Sequence, residues 1–222
     1  MPDRSRTDGG LQAELRWYEG LEVVVRTLAA DRDKRLRPRA VRLLAQLATR
    51  ESVLAAAEAV VAEKDRALRL EGASALASVQ EVLLRSECAE LLARGVADKD
   101  RDVRVAFASI AARRDDAKAL GVLRDEGVTH PDHHFRELAA VALARQGDPA
   151  GEHVLVAMLG RDRIPGVDDP ALVRELLVRE QVELCALLAK LHTDSGQAAL
   201  ERARKSAHEA VRAAAEAALA GW

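Results

Sequence analysis

Apolar residues recur along this chain at helical spacing, and the whole pattern then repeats. Six segments align on an arginine preceded by an apolar residue: Leu36-Arg37, Leu68-Arg69, Val103-Arg104, Phe135-Arg136, Val178-Arg179 and Val211-Arg212. Successive arginines lie 32, 35, 32, 43 and 33 residues apart. Three residues past each arginine stand Ala40, Gly72, Phe107, Ala139, Val182 and Ala215. Six past it are Leu43, Ala75, Ile110, Ala142, Cys185 and Ala218; seven past it are Leu44, Leu76, Ala111, Leu143, Ala186 and Leu219. Together with the residue before the arginine, these positions make the i, i+4, i+7, i+8 stripe of an amphipathic helix. No polar side chain interrupts the stripe in any copy.

A second helical pattern fills each gap. It runs through Val53, Ala57, Val60 and Val61, then Leu84, Cys88, Leu91 and Leu92, then Leu120 and Leu123, Leu155 and Leu159, and Ala199, Leu200 and Ala203. Aspartates precede the arginine helices: Asp31 and Asp33, Asp65, Asp98, Asp100 and Asp102, and Asp132. A carboxylate there accepts free backbone N–H groups and meets the positive end of the helix dipole. Each unit therefore reads as a helical hairpin, which cannot bury its apolar face alone and must stack on its neighbours. The predicted fold is all-α: a right-handed α-solenoid of about six hairpins, in a single domain over 11–222. Residues 1–10 read as a flexible tail and 11–30 as an N-terminal capping helix.

The fifth unit is longer. Two prolines, a glycine and paired aspartates across 161–170 predict an insertion loop that caps a long helix starting near Ala171. A frame on Val173-Arg174 would place Glu180 at a buried position, so the Arg179 frame is preferred.

An apolar–Arg pair after Asp-x-Asp, followed by alanines and leucines at these offsets, resembles the HEAT repeat family. Its short bacterial branch, named from phycobilisome lyase subunits, is the nearest likeness, with Asp98-Lys99-Asp100-Arg101-Asp102-Val103-Arg104 the clearest copy. The resemblance covers about residues 31 to 220. It implies that Arg69, Arg104, Arg136 and Arg212 form a structural ladder to aspartates and carbonyls of adjacent repeats. Pro38 sets Arg37 apart, since it must bend its helix or lie in the first turn. Such repeats serve many purposes, so the resemblance speaks for fold and hardly for activity.

Composition agrees with close-packed helices. Among 222 residues, 49% are hydrophobic, only 2% are aromatic, and alanine is the commonest. A β-sandwich would need far more β-branched and aromatic strands. Thirty-four bases against 36 acids leave a net charge of -2, with no global pull toward nucleic acid or an anionic membrane. No run is apolar enough to span a membrane, and the N-terminus has no apolar leader, so the default compartment is the cytoplasm. Cys88 and Cys185 each sit on an apolar stripe and read as buried thiols, not as a disulfide or metal pair.

Catalytic signatures are missing. Thr129-His130-Pro131-Asp132-His133-His134-Phe135-Arg136-Glu137 is the densest polar cluster, and His133 with Glu137 is an i, i+4 pair. It coincides with a loop and helix cap, so the expectation is a solvated turn and no metal site. Di-iron deoxyhypusine hydroxylases carry paired His-Glu motifs, whereas His-Glu occurs here once, at His208-Glu209. Base-stacking platforms are absent from the middle of the chain, because Trp17, Tyr18 and Trp222 lie at its ends. No cofactor is expected. The chain reads as a non-enzyme, with a bilin-lyase subunit as the enzymatic alternative.

Charge is locally uneven. From Asp31 to Arg50 seven bases face two acids, and Arg35, Arg39 and Arg42 share a helix face that could meet nucleic-acid phosphates. Without interleaved aromatics, nucleic acid is not the expected partner. Second helices instead carry Glu58, Glu87 and Glu90, with Arg94 and Arg124 between them. In HEAT-like solenoids these helices line the concave surface. The expected function is therefore a scaffold, adaptor or regulatory subunit that binds another protein, one with a basic patch.

Overall fold

The computed structural model describes residues 35–47, 49–77 and 88–222, together with Val23, Val25 and Asp33. The expected tail, and the capping helix apart from the helical Val23 and Val25, lie outside the described residues, as does Glu87. By its contacts the chain divides into two compact units, Met1–Ile110 and Ala111–Trp222. Every described element is helical.

In the first unit, α1 (Leu36–Leu47), α2 (Arg50–Ala62) and α3 (Arg66–Ala77) pack on one another, and α4 (Ala89–Val96) packs on α2. The unit's last helix is α5 (Arg101–Ala111), and the division between units falls one residue before its end. Close approach is what the small residues provide. A Cβ on Gly72 would stand 2.2 Å from the Val60 Cγ2 and 3.2 Å from the Val41 Cγ1, so α3 lies almost directly on α2 and α1. A Cβ on Gly95 would meet the Phe107 ring at 2.2 Å, so the largest core side chain of α5 fills the space that glycine leaves on α4.

The second unit begins with a 3-10 turn, Ala112–Arg114, and then α6 (Ala117–Val122). That helix runs on into a π-helical turn, Leu123–Gly127, in which the Val128 N–H donates to the Leu123 carbonyl at 3.0 Å. Then come α7 (His133–Arg145), α8 (Glu152–Leu159), α9 (Pro170–Leu191), α10 (Asp194–Ala203) and α11 (Glu209–Ala220). Their core is aliphatic: Leu155, Leu184, Cys185, Leu188, Leu200 and Ala215 lie in one continuous buried cluster.

Aspartates mark many of the helix starts. Asp33, Asp65, Asp100, Asp116, Asp132, Asp148 and Asp169 each accept the backbone N–H two residues on, at 2.8 to 3.1 Å. Asp169 is followed by Pro170 at the first helical position, where a missing N–H costs nothing. Pro38 likewise lies in the first turn of α1, as its third residue.

Two expectations of the apolar stripe fail. Leu43 is 48% exposed and Leu36 37%, because the buried face of α1 is centred on Ala40, Leu44 and Val41, which leaves one edge of the stripe uncovered. In α9 the Arg179 frame holds only in part: Cys185 is buried and Val178 and Val182 are half-buried, but Ala186 is exposed, and Leu177, Leu184, Leu187, Leu188 and Leu191 carry most of the burial.

Candidate interaction surfaces

The repeated arginines share one local geometry. Arg69, Arg104, Arg136 and Arg212 each donate from Nη1 to the carbonyl six residues earlier: Glu63 at 3.2 Å, Asp98 at 2.8 Å, His130 at 2.5 Å and Ser206 at 2.9 Å. Arg69 and Arg136 also reach the next carbonyl, on Lys64 and Pro131. These carbonyls lie in the loop before the arginine's own helix, so the side chain clamps that loop down. Two arginines add an ion pair to the loop of the following hairpin. Arg37 meets Glu63 at 2.6 Å, and the buried Arg69 meets Asp98 at 3.0 Å.

In α9 the clamp is a glutamine. Gln181 Nε2 donates to the carbonyls of Leu159 and Arg161, at 3.1 and 3.2 Å, across the insertion. Counted from Gln181, Leu184, Leu187 and Leu188 occupy the buried positions three, six and seven residues on. The sequence marked arginine as the repeat's signature, but the geometry requires only a long side chain with an N–H donor. Glu180, the residue whose burial argued against an earlier frame, is stabilised there by Arg161. That guanidinium donates to both Glu180 carboxylate oxygens and, from Nη1, to Glu137 at 2.8 Å. A long donor beside a carboxylate, about three turns into a leucine-rich helix, was the available signal for Gln181.

The candidate partner-binding residues fall into different settings. Glu58 on α2 and Glu90 and Arg94 on α4 are exposed and enter no ion pair among the described residues, on two helices that pack together. Arg124 lies in the π-helical turn of the second unit, where its Nε donates to Asp148 at 2.5 Å. Its charge is spent within the fold. The basic face of α1 is partly spent as well: Arg35 pairs with Asp33 at 3.1 Å and Arg42 with Glu71, while Arg39 stays exposed. The Arg35 hydrogen bonds hold the Asp33 carboxyl below its ordinary value of 3.8.

The histidine-rich turn does not converge. His130 is buried against the Phe135 ring, centroids 4.7 Å apart, and its Nδ1 accepts the Asp132 N–H. His133 is exposed, and Glu137 belongs to Arg161. No group of three or more metal-ligating side chains comes together among the described residues. Both cysteines are buried and neither is in a disulfide, and burial pushes the Cys185 thiol up to about 11. Near the C-terminus Trp222 packs on His192, ring centroids 5.0 Å apart.

The insertion and the first turns of α9 line an open hollow of about 760 Å³. Its lining combines apolar Ile164, Val167, Val173 and Leu177 with polar Asp162, Arg163, Asp168, Arg174 and His208. No described helix is long and apolar enough to cross a membrane.

Comparison with known proteins places the fold. The chain is similar to an engineered protein of known structure, with a TM-score of 0.54 at 20% identity over 90% of this chain and 95% of the other. It is similar as well to a designed armadillo repeat protein, TM-score 0.50 at 17% identity over 89% and 98% of the two chains. The fold is that of the all-α helical-repeat solenoids. Human deoxyhypusine hydroxylase in complex with glycerol also aligns, but at a TM-score of 0.34, too low to bear on activity. No family model matches the sequence, and no curated protein matches it.

Proposed function

We propose that this protein is a non-enzymatic scaffold or adaptor whose first unit binds a partner protein through its second helices. One observation carries the reading: Glu58 and Glu90 are exposed carboxylates on neighbouring helices, and neither enters an ion pair among the described residues. Helical repeats hold such side chains on rigid elements, so little ordering entropy opposes binding. A stable interface needs about 800 Å² per partner and no enclosed pocket. Two carboxylates on that surface suit a partner with a basic patch, whose approach they would steer and accelerate at low salt. Glu58→Lys with Glu90→Lys is the decisive variant, because both positions are exposed and folding should survive. Partners captured from native extract by the wild-type protein, identified by mass and purified, should bind the double variant at least tenfold more weakly. Undiminished binding would remove this face from consideration.

A further inference from the structure

In the first unit, the loop after a second helix supplies the counter-charge for the arginine of the preceding hairpin. Glu63, one residue past α2, serves Arg37, and Asp98, two past α4, serves Arg69. In the second unit, the residue two past α8 is Arg161. A base stands where the first unit places an acid. Glu137 and Glu180 neutralise Arg161 itself, and among the described residues Arg136 has no carboxylate partner. Its side-chain hydrogen bonds among the described residues run from Nη1, to the His130 and Pro131 carbonyls. A half-buried guanidinium without a counter-ion is an electrostatic cost that an added anion relieves.

Arg136 and Arg161 line a hollow of about 280 Å³ together with His133 and His153. Glu137 is the lone acid in that lining, and it is already bound to Arg161. Asp132 sits 3.7 Å from His133, with its Oδ1 accepting the His134 N–H at the start of α7. Ala157 and Met158 supply an apolar wall. We propose that this hollow receives a glutamate side chain from an acidic segment of a partner protein. The methylenes of the glutamate would pack on Met158 and Ala157, while its carboxylate meets the uncommitted edge of Arg136 with the imidazoles beside it. Arginine suits this task because its planar fork matches a carboxylate. The surface lies on the second unit and does not depend on the carboxylates of the first.

The test uses the full chain and a fluorescein-labelled peptide of alternating glutamate and glycine, read by anisotropy at low salt, with the glutamine version as control. Saturable binding of the glutamate peptide alone is expected. His153→Glu, at an exposed position, should weaken it at least tenfold, and Arg136→Gln should do likewise in protein whose circular dichroism is unchanged. Gln197→Glu, exposed on α10 in the same unit, should leave affinity within twofold. Absence of saturable binding would overturn the proposal. Equal weakening by Gln197→Glu would overturn it too, as diffuse charge attraction. Binding of inorganic phosphate without the peptide would mark a site for free oxyanions and reject a protein partner there.

Discussion

Arg69 is only 3% exposed, and a guanidinium so deeply buried depends on its partners. Two loop carbonyls and Asp98 supply them. Removing one member of a buried charged pair strands the other, which costs about 3–5 kcal/mol. Arg69→Ala should therefore lower stability by about 3 kcal/mol in a urea titration, and Arg179→Ala, at an exposed position, by less than about 0.5 kcal/mol. Similar losses in the two would refute the clamp. Asp100 offers a check by pH. Burial acts to raise its carboxyl, but the Arg66 hydrogen bond, the Val103 and Asp102 N–H groups and the Arg66 charge outweigh it, so the carboxyl lies below 3.8. A depressed carboxylate adds stability above its unfolded value, and that contribution disappears as pH falls through the folded value. Asp100→Asn should then flatten the acid limb of the stability curve below about pH 4, measured by urea titration at successive pH values. Cys185 behaves in the opposite sense. Its thiol is raised from 9.0 to about 11, so the folded state loses stability as pH climbs between those values. At pH 8 it should resist a disulfide reagent until the chain is unfolded, and fast labelling of the native protein would contradict its burial.

Several helices in this fold meet at glycines, and many begin at an aspartate cap. Gly95→Ala would drive a methyl group into the Phe107 ring, and overpacking of this kind costs about 1–3 kcal/mol, readable as a lowered urea midpoint. Asp169→Ala should cost about 1 kcal/mol by removing the cap of α9. At this scale the sequence was readable wherever the cause was local. The caps at Asp65 and Asp132, the stripes of α5 and α7 and the loop before α9 all follow from residues near one another in the chain. It misled where the cause was distant. Leu43 is apolar and on register, yet whether such a position is buried depends on which neighbours a helix has, not on its own spacing. Arg179 matched the signature, but Gln181 carries the bond, since the carbonyls to be reached lie 20 and 22 residues back across the insertion. The missing counter-ion of Arg136 was equally hidden, because an absent partner leaves no motif.

For the molecule as a whole, far-UV circular dichroism should report a strongly helical chain with negligible strand, and a substantial sheet signal would sink the fold assignment. The candidate surfaces were less legible than the fold, because a scaffold's specificity lies in which charges the fold leaves unspent. Glu90 and Arg124 look alike in sequence as charges on second helices, and among the described residues Arg124 has an ion-pair partner where Glu90 has none. The Gln181 clamp has a further consequence. It ties α9 to the carbonyls of Leu159 and Arg161, so both ends of the segment 162–169 are pinned independently of what lies between them. At its tip Gly166 has a φ of +78°, and nothing stands within 4 Å of where its Cβ would be. Closing a longer loop between fixed ends is inexpensive, about 0.6 kcal/mol for each doubling of length. Eight Gly/Ser residues inserted after Gly166 should thus shift the urea midpoint only slightly, where the same insert within α7 would abolish folding. The segment is in effect a graft port, a place where foreign sequence can be displayed while the surrounding helices keep their register.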